Sequence, residues 1–262
     1  MRDNPLRRCW ADGTPALGAW ATLPTSFSAE LLGRLGLDYV CIDTQHGLIG
    51  YDESVPLIQA IGLGSSTPLV RVPWNEPGII GKSLDAGAMG VIVPMVNTAA
   101  EAEAAVAATR YPPAGRRSFG PIRPRHSEGD DYFARANLEV ACIPMVETVQ
   151  AIENLDAICE VPGVDAVYVG PSDLAVSLGL APGDNEAEAR FTEALAAIVD
   201  GCRRHGVVPG IHASAALLAR RLEQGFRMVT ITADSVALAR ALREDVETAR
   251  GTSGGGDAHA LY

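Results

Sequence analysis

The sequence predicts an α/β chain closed into a single (β/α)8 TIM barrel. Three observations carry this expectation. Eight short, β-branched apolar runs recur along the chain, and helix-like segments with Ala, Leu, Glu and Arg at helical spacing separate them. The runs are apolar on both faces, the pattern of parallel strands covered by helices. A length of 262 residues, 47% of them hydrophobic, suffices for one barrel-sized core. A doubly wound open sheet is the main alternative, but no GxGxxG or Walker motif follows the first run.

In order, the strand runs are ALGAWATL, DYVCID, PLVRV, GVIVPMV, VACIPMVE, DAVYVG, VVPGIH and RMVTITAD. The helical segments are SAELLGRLG, YDESVPLIQAIG, GIIGKSLDAG, TAAEAEAAVAATR, TVQAIENLDAIC, EAEARFTEALAAIVDGCRRHG, SAALLARRLEQG and SVALARALREDVETAR. Several begin at Ser, Thr or Gly and end at Gly, as capped helices do. One long stretch, Tyr111 to Phe133, reads as irregular. The barrel should occupy residues 1–250 as one domain, with 251–262, GTSGGGDAHALY, as a flexible tail.

Charge narrows the partners. A net charge of −11 and a pI near 4.9 repel phosphate backbones and anionic lipid, which excludes nucleic acid and membrane surfaces and favours a small-molecule substrate. The five cysteines are odd in number and contain no CxxC pair, which fits reduced thiols in a cytoplasm. No apolar stretch approaches the ~20 residues that span a bilayer, and Met1 to Trp10 holds arginines but no apolar core of a signal peptide. The expectation is a soluble, cytoplasmic protein.

In barrels of this kind chemistry gathers where strands end. Strand one carries Trp20, strand two ends in Asp43 and His46, and strand three carries Arg71. Strand five ends in Glu147, strand six in GPSD with Asp173, and strand seven in His212. Each polar residue lies just past an apolar run, so together they should converge on one pocket. Taken alone, Asp173 reads equally well as a helix N-cap, and the less favoured reading of Arg71 is a structural partner of a barrel acid. Glu147 is harder to explain structurally, since an unpaired charge in IPMVETV is costly to bury. Two carboxylates on adjacent strand ends, without clustered Cys or His, suit a hard divalent cation such as Mg²⁺ or Mn²⁺ better than zinc.

The only lysine, Lys82, falls in a helical segment, which argues against Schiff-base catalysis. The loops after strands seven and eight lack Gly-rich phosphate grips, which disfavours PLP or a phosphorylated substrate, and no NAD fingerprint is present.

Between roughly Leu17 and Arg250 the chain resembles the HpcH/HpaI family of class II pyruvate aldolases. The markers keep their order: LGAW, SAELLGRLGLDYVCIDTQHG, VRVPWNEP, LDAGAMGVIVPMV, ATRYPPAGRRSFG, VET and VYVGPSDLAVSLG. The resemblance implies a barrel of the phosphoenolpyruvate/pyruvate-binding type that cleaves a 4-hydroxy-2-oxo acid to pyruvate, or a related 2-oxo acid, and an aldehyde. It implies that Glu147 and Asp173 hold Mg²⁺ or Mn²⁺, with Co²⁺ a further option, on which the 2-oxo acid is chelated. His46 would be the base, Asp85 would raise its basicity, and Arg71 would stabilise enolate charge. Trp20 would wall the pocket, Asp43 would order water beside the metal, and Gly170, Pro171 and Ser172 would receive the substrate carboxylate. It further implies a hexamer built as a trimer of dimers, with the last helix exchanged between partners.

The chain departs from the family pattern at several positions. Met145 replaces a substrate-contacting Gln, Gln45 stands where an acid is usual, and Ser172 replaces Ala. His212 replaces an apolar residue on the aldehyde side, and should meet a polar or acidic group there. Arg117, Arg123 or Arg125 should reach the mouth of a neighbouring subunit. Oxaloacetate decarboxylation, condensation of the enolate by a synthase and a silent keto-acid-binding barrel remain alternatives on the same scaffold.

Overall fold

The protein is described here by a computed structural model covering residues 1–251. Apart from Gly251, the expected tail lies outside the described residues. The first half of the barrel runs α1 (Pro5–Ala11), β1 (Ala16–Ala21), α2 (Ser26–Arg34), β2 (Tyr39–Asp43), α3 (Tyr51–Ile61), β3 (Thr67–Arg71), α4 (Pro77–Asp85), β4 (Gly90–Val93) and α5 (Ala99–Thr109). Two short helices, α6 (Ile122–Ser127) and α7 (Tyr132–Glu139), lead into β5 (Ala141–Pro144). Then follow α8 (Val149–Glu153), α9 (Leu155–Cys159), β6 (Ala166–Val169), α10 (Pro171–Ser177) and α11 (Ala189–His205). The chain closes with β7 (Val208–His212), α12 (Leu218–Gln224), β8 (Met228–Ala233) and α13 (Asp234–Ala249).

All strand pairs are parallel, in the order β5-β4-β3-β2-β1-β8-β7-β6. The β5 and β6 edges meet at Met145 and Tyr168, where the Val146 N–H donates to the Tyr168 carbonyl at 2.9 Å. The sheet is therefore a barrel, as the eight apolar runs predict.

Period-two alternation sorts the strand residues into two cores. Val40, Ile42, Val70, Val91 and Val229 face the helices. Tyr39, Cys41, Leu69, Ile92, Ile143, Tyr168 and Met228 fill the barrel. Space for the two tyrosines comes from glycine: a Cβ on Gly18 would stand 2.2 Å from the Tyr39 ring. Both phenols meet the Thr230 hydroxyl, at 2.8 Å from Tyr39 and 2.6 Å from Tyr168, so the buried polar tips are satisfied. Helix α1, which hydrophobic periodicity did not reveal, plugs the amino-terminal end with Leu6. Its N-cap Asn4 accepts from the Leu6 N–H and donates to the carbonyls of Met89 and Glu139.

The stretch Tyr111 to Phe133 is not irregular throughout. It contains α6, whose Pro124 sits in the first turn where a missing N–H costs little. Tyr111, Phe119 and Phe133 pack together with ring centroids 5.2–5.7 Å apart, a local core that anchors the segment. The single helix expected over TVQAIENLDAIC is broken at Asn154. Among the described residues no helix is long and apolar enough to cross a membrane.

Candidate active site

A cleft of about 280 Å³ opens at the carboxyl ends of the strands, lined by Trp20, Asp43, His46, Arg71, Met145, Gly170, Pro171, Ser172, Asp173 and His212. Of the sequence-predicted ring of strand-end residues, all but Glu147 line this cleft. Asp43 and Arg71 are register partners across β2 and β3, and the guanidinium grips the carboxylate through two bonds, of 2.9 and 2.7 Å. Burial pushes the Asp43 carboxyl upward. The Arg71 contacts and the backbone N–H groups of His46 and Gln45 outweigh that and hold it below the usual range. The same two N–H bonds, 3.2 and 3.1 Å, fold the β2 loop into a tight turn that presents His46, exposed at the mouth.

Trp20 forms the wall. The Arg71 guanidinium lies 4.4 Å above its ring, and the His212 ring meets it edge-on at 4.9 Å. Burial, aided by the Arg71 charge, lowers the His212 pKa to about 4, so this imidazole is neutral at pH 7. It supplies a hydrogen-bonding edge and no positive charge.

Glu147 lies against Gly170, a lining residue of the cleft, and is itself 2% exposed. Its Oε1 accepts the Met95 N–H at 2.8 Å, while Oε2 is buried with no hydrogen-bond partner. Met95 has φ +55°, the only positive value at a non-glycine among the described residues, and this turn is what aims its N–H at the carboxylate. Burial pushes the Glu147 pKa up to about 7 against the Met95 bond, with the Asp173 charge adding to the rise. A Cβ on Gly170 would lie 2.2 Å from Oε2, so only glycine lets the β6 end approach this closely. Asp173 occupies the third residue of α10, with Gly170 at the cap position. It therefore is not the N-cap that the alternative reading allowed.

The orphaned Oε2, with a second carboxylate near enough to disfavour its ionisation, is what a pair of hard-cation ligands looks like with protein atoms alone. Among the described residues no group of three or more His, Cys, Asp or Glu could hold a metal, so water and substrate oxygens would have to complete such a shell.

Asp85, Arg117 and Arg123 lie elsewhere. Asp85 ends α4 on the opposite rim, ion-paired with Arg117 at 2.7 Å, beside a separate cavity of about 610 Å³ between α4 and α5. Within one chain it does not reach His46. Arg117 is buried in its own chain, stacked 4.5 Å from the Tyr111 ring and donating to the Tyr132 hydroxyl, and Arg123 donates to the Ala86 carbonyl. Lys82, on α4, stands 4.5 Å over the ring of Tyr51 on α3, outside the barrel mouth. Sequence reasoning missed Tyr168, Thr22 and Ser235, which also line the cleft, and Met95. Tyr168 reads as ordinary strand core, and only its inward parity in β6 hinted at a place beneath the site.

Fold and rim together define a barrel enzyme with its reactive groups at the strand ends. A model of the family described as HpcH/HpaI aldolase/citrate lyase matches residues 17–241, and the chain belongs to that family. It is 43% identical over 248 residues to a hydroxypyruvate/pyruvate aldolase of Rhizorhabdus wittichii, covering 94% of this chain and 99% of that one. A 4-hydroxy-2-oxo-heptane-1,7-dioate aldolase of Escherichia coli is 39% identical over 245 residues, with 91% and 92% covered. The crystal structure of an HpcH/HpaI aldolase/citrate lyase family protein from Burkholderia cenocepacia aligns with a TM-score of 0.86 at 33% identity, over 94% and 99% of the two chains. With these relatives, the chain is an aldolase, a carbon–carbon lyase.

Proposed function

We propose that the cleft turns pyruvate, or a close 2-oxo acid such as hydroxypyruvate, into its enolate and exchanges it reversibly with an aldehyde to form or cleave a 4-hydroxy-2-oxo acid. The observation that carries this reading is the buried, unpartnered Glu147 Oε2 beside Asp173. These two carboxylates fit Mg²⁺ or Mn²⁺, which when bound would polarise the keto oxygen and offset enolate charge.

The chain's own residues supply the rest. His46, exposed at the mouth, takes a proton from the substrate methyl group as the C–H electron pair moves toward the keto oxygen. Arg71, locked by Asp43 and stacked on Trp20, offers a preorganised positive charge to that oxygen. The new carbon–carbon bond joins the former methyl carbon to the aldehyde carbon, and the resulting alkoxide takes up a proton. In cleavage the same steps run backward. The start of α10, Gly170 to Ser172, receives the substrate carboxylate, and Met145 closes the floor.

Asp85 can serve His46 only from a second copy, because it lies on the opposite rim of its own chain. We accordingly propose a homo-oligomer, a hexamer by family resemblance. Exposed Leu238, Leu242 and Val246 recur every fourth residue on α13, which buries only Asp234, and this face suits exchange with a partner. The activity is tested by whether the purified protein releases pyruvate from a 4-hydroxy-2-oxo acid only when a divalent cation is supplied. Release unaffected by chelation would overturn it.

A further inference from the structure

A second cavity, about 470 Å³, lies beside the cleft between the β7 end and the loop that joins α10 to α11. Pro171, Ser172 and His212 line both spaces, so the cavity adjoins the cleft on the side of Ser172 and His212. Resting on the aldolase reading above, we propose that this side cavity holds the distal carbons of the acceptor aldehyde, and that it selects an uncharged, hydroxylated aldehyde over a carboxylated one of equal length.

The charges lining the cavity set this preference. Arg221 is the one lining cation, and it is 2% exposed. Its Nη1 and Nη2 are taken by the Glu186 carboxylate and Nη1 also by the Gln224 side chain at 2.8 Å, while Nε is buried without a hydrogen-bond partner. Arg220, which points to the same carboxylate at 3.1 Å, does not line the cavity. His212 is neutral at pH 7, as described above. Asp184, exposed and outside any ion pair among the described residues, is thus the lining charge left uncompensated.

A carboxylate entering this space would meet a guanidinium whose charge Glu186 already neutralises and of which only the buried Nε is unbonded, and it would face Asp184. Desolvating it there is unfavourable. Hydroxyl groups, in contrast, can both donate and accept, and Ser172, Ser214, His212 and Asp184 provide matching partners. The heptane-1,7-dioate skeleton in the name of the Escherichia coli relative contains a four-carbon acceptor ending in a carboxylate, so the two proteins should differ in acceptor preference.

The test compares kcat/KM for pyruvate addition to erythrose, succinate semialdehyde and butanal, three four-carbon aldehydes that differ in charge and hydroxylation. Wild-type protein should favour erythrose over succinate semialdehyde by tenfold or more. Asp184→Lys should narrow that ratio at least threefold, and Ser214→Val should lower erythrose relative to butanal. A wild-type preference for succinate semialdehyde, or ratios unmoved by both variants, would overturn the proposal. Exchange of the pyruvate methyl protons with D₂O by wild-type protein, run without any aldehyde, separates the two levels. Exchange without the expected acceptor ratio removes the side-cavity proposal alone. No exchange removes the aldolase reading and this proposal with it.

Discussion

Arg71 and Asp43 face each other in register across β2 and β3 and share two hydrogen bonds, of 2.9 and 2.7 Å, with both side chains buried. The pair lines the candidate active-site cleft, so its two members should respond differently to mutation. Asp43→Ala strands a guanidinium in a dry setting and should destabilise the fold by about 3–5 kcal/mol. Arg71→Lys keeps a charge but loses the fork that matches the carboxylate, and should lower kcat/KM by roughly 10²–10³. Chemical denaturation and steady-state kinetics on the two variants check both statements.

The raised Glu147 pKa gives a signed pH dependence. Its folded value near 7 lies above the ordinary 4.5, so in metal-free protein its contribution to stability is full below about pH 4.5 and is lost as pH rises through 7. Metal-free Glu147→Gln, which never ionises, should therefore melt higher than wild type above pH 7, with the difference vanishing below pH 5. For the same reason Mn²⁺ affinity of wild-type protein should rise with pH through 7, accompanied by proton release. Thermal scans and calorimetric titration in two buffers measure these effects.

Gly170→Ala should damage the site more than the fold. The added Cβ would meet Glu147 Oε2 at 2.2 Å and must displace it. A tenfold or greater loss of Mn²⁺ affinity with a melting temperature within a few degrees of wild type is expected. Unchanged affinity would show that the carboxylate does not need this position.

Inside the barrel, Thr230 satisfies two phenols at once. Thr230→Val should cost about 2–4 kcal/mol, because Tyr39 and Tyr168 both lose their partner in a buried setting. Tyr39→Phe should cost only about 1 kcal/mol, since it removes one bond and leaves Thr230 paired with Tyr168. Equilibrium unfolding of both variants makes the comparison.

The barrel was legible because parallel strands buried on both faces leave uninterrupted runs such as DYVCID and GVIV, and the ring of polar residues was legible because each one stops such a run. The pairing of Arg71 with Asp43 was foreseeable only as one option among several, since register depends on where β2 and β3 align. The helical segment GIIGKSLDAG already put Asp85 at a helix end, away from the strand ends, and only the family resemblance tied it to His46. The motif LDAG names a residue but not a direction. Helix α1 escaped notice because it is held by Asn4 and Leu6 reaching distant residues, not by its own periodicity. Asp184 and Ser214 stand in loops whose approach to the cleft depends on how α10 to α12 pack.

The central claim, enolate formation by His46 with a cation at Glu147 and Asp173, is tested most directly by proton NMR. Pyruvate methyl exchange with D₂O is followed without an aldehyde, in wild-type protein and in His46→Ala and Glu147→Ala. Exchange that requires Mg²⁺ or Mn²⁺ and disappears in both variants is the predicted result. Exchange that persists in Glu147→Ala, or that proceeds equally well with chelator present, would contradict it.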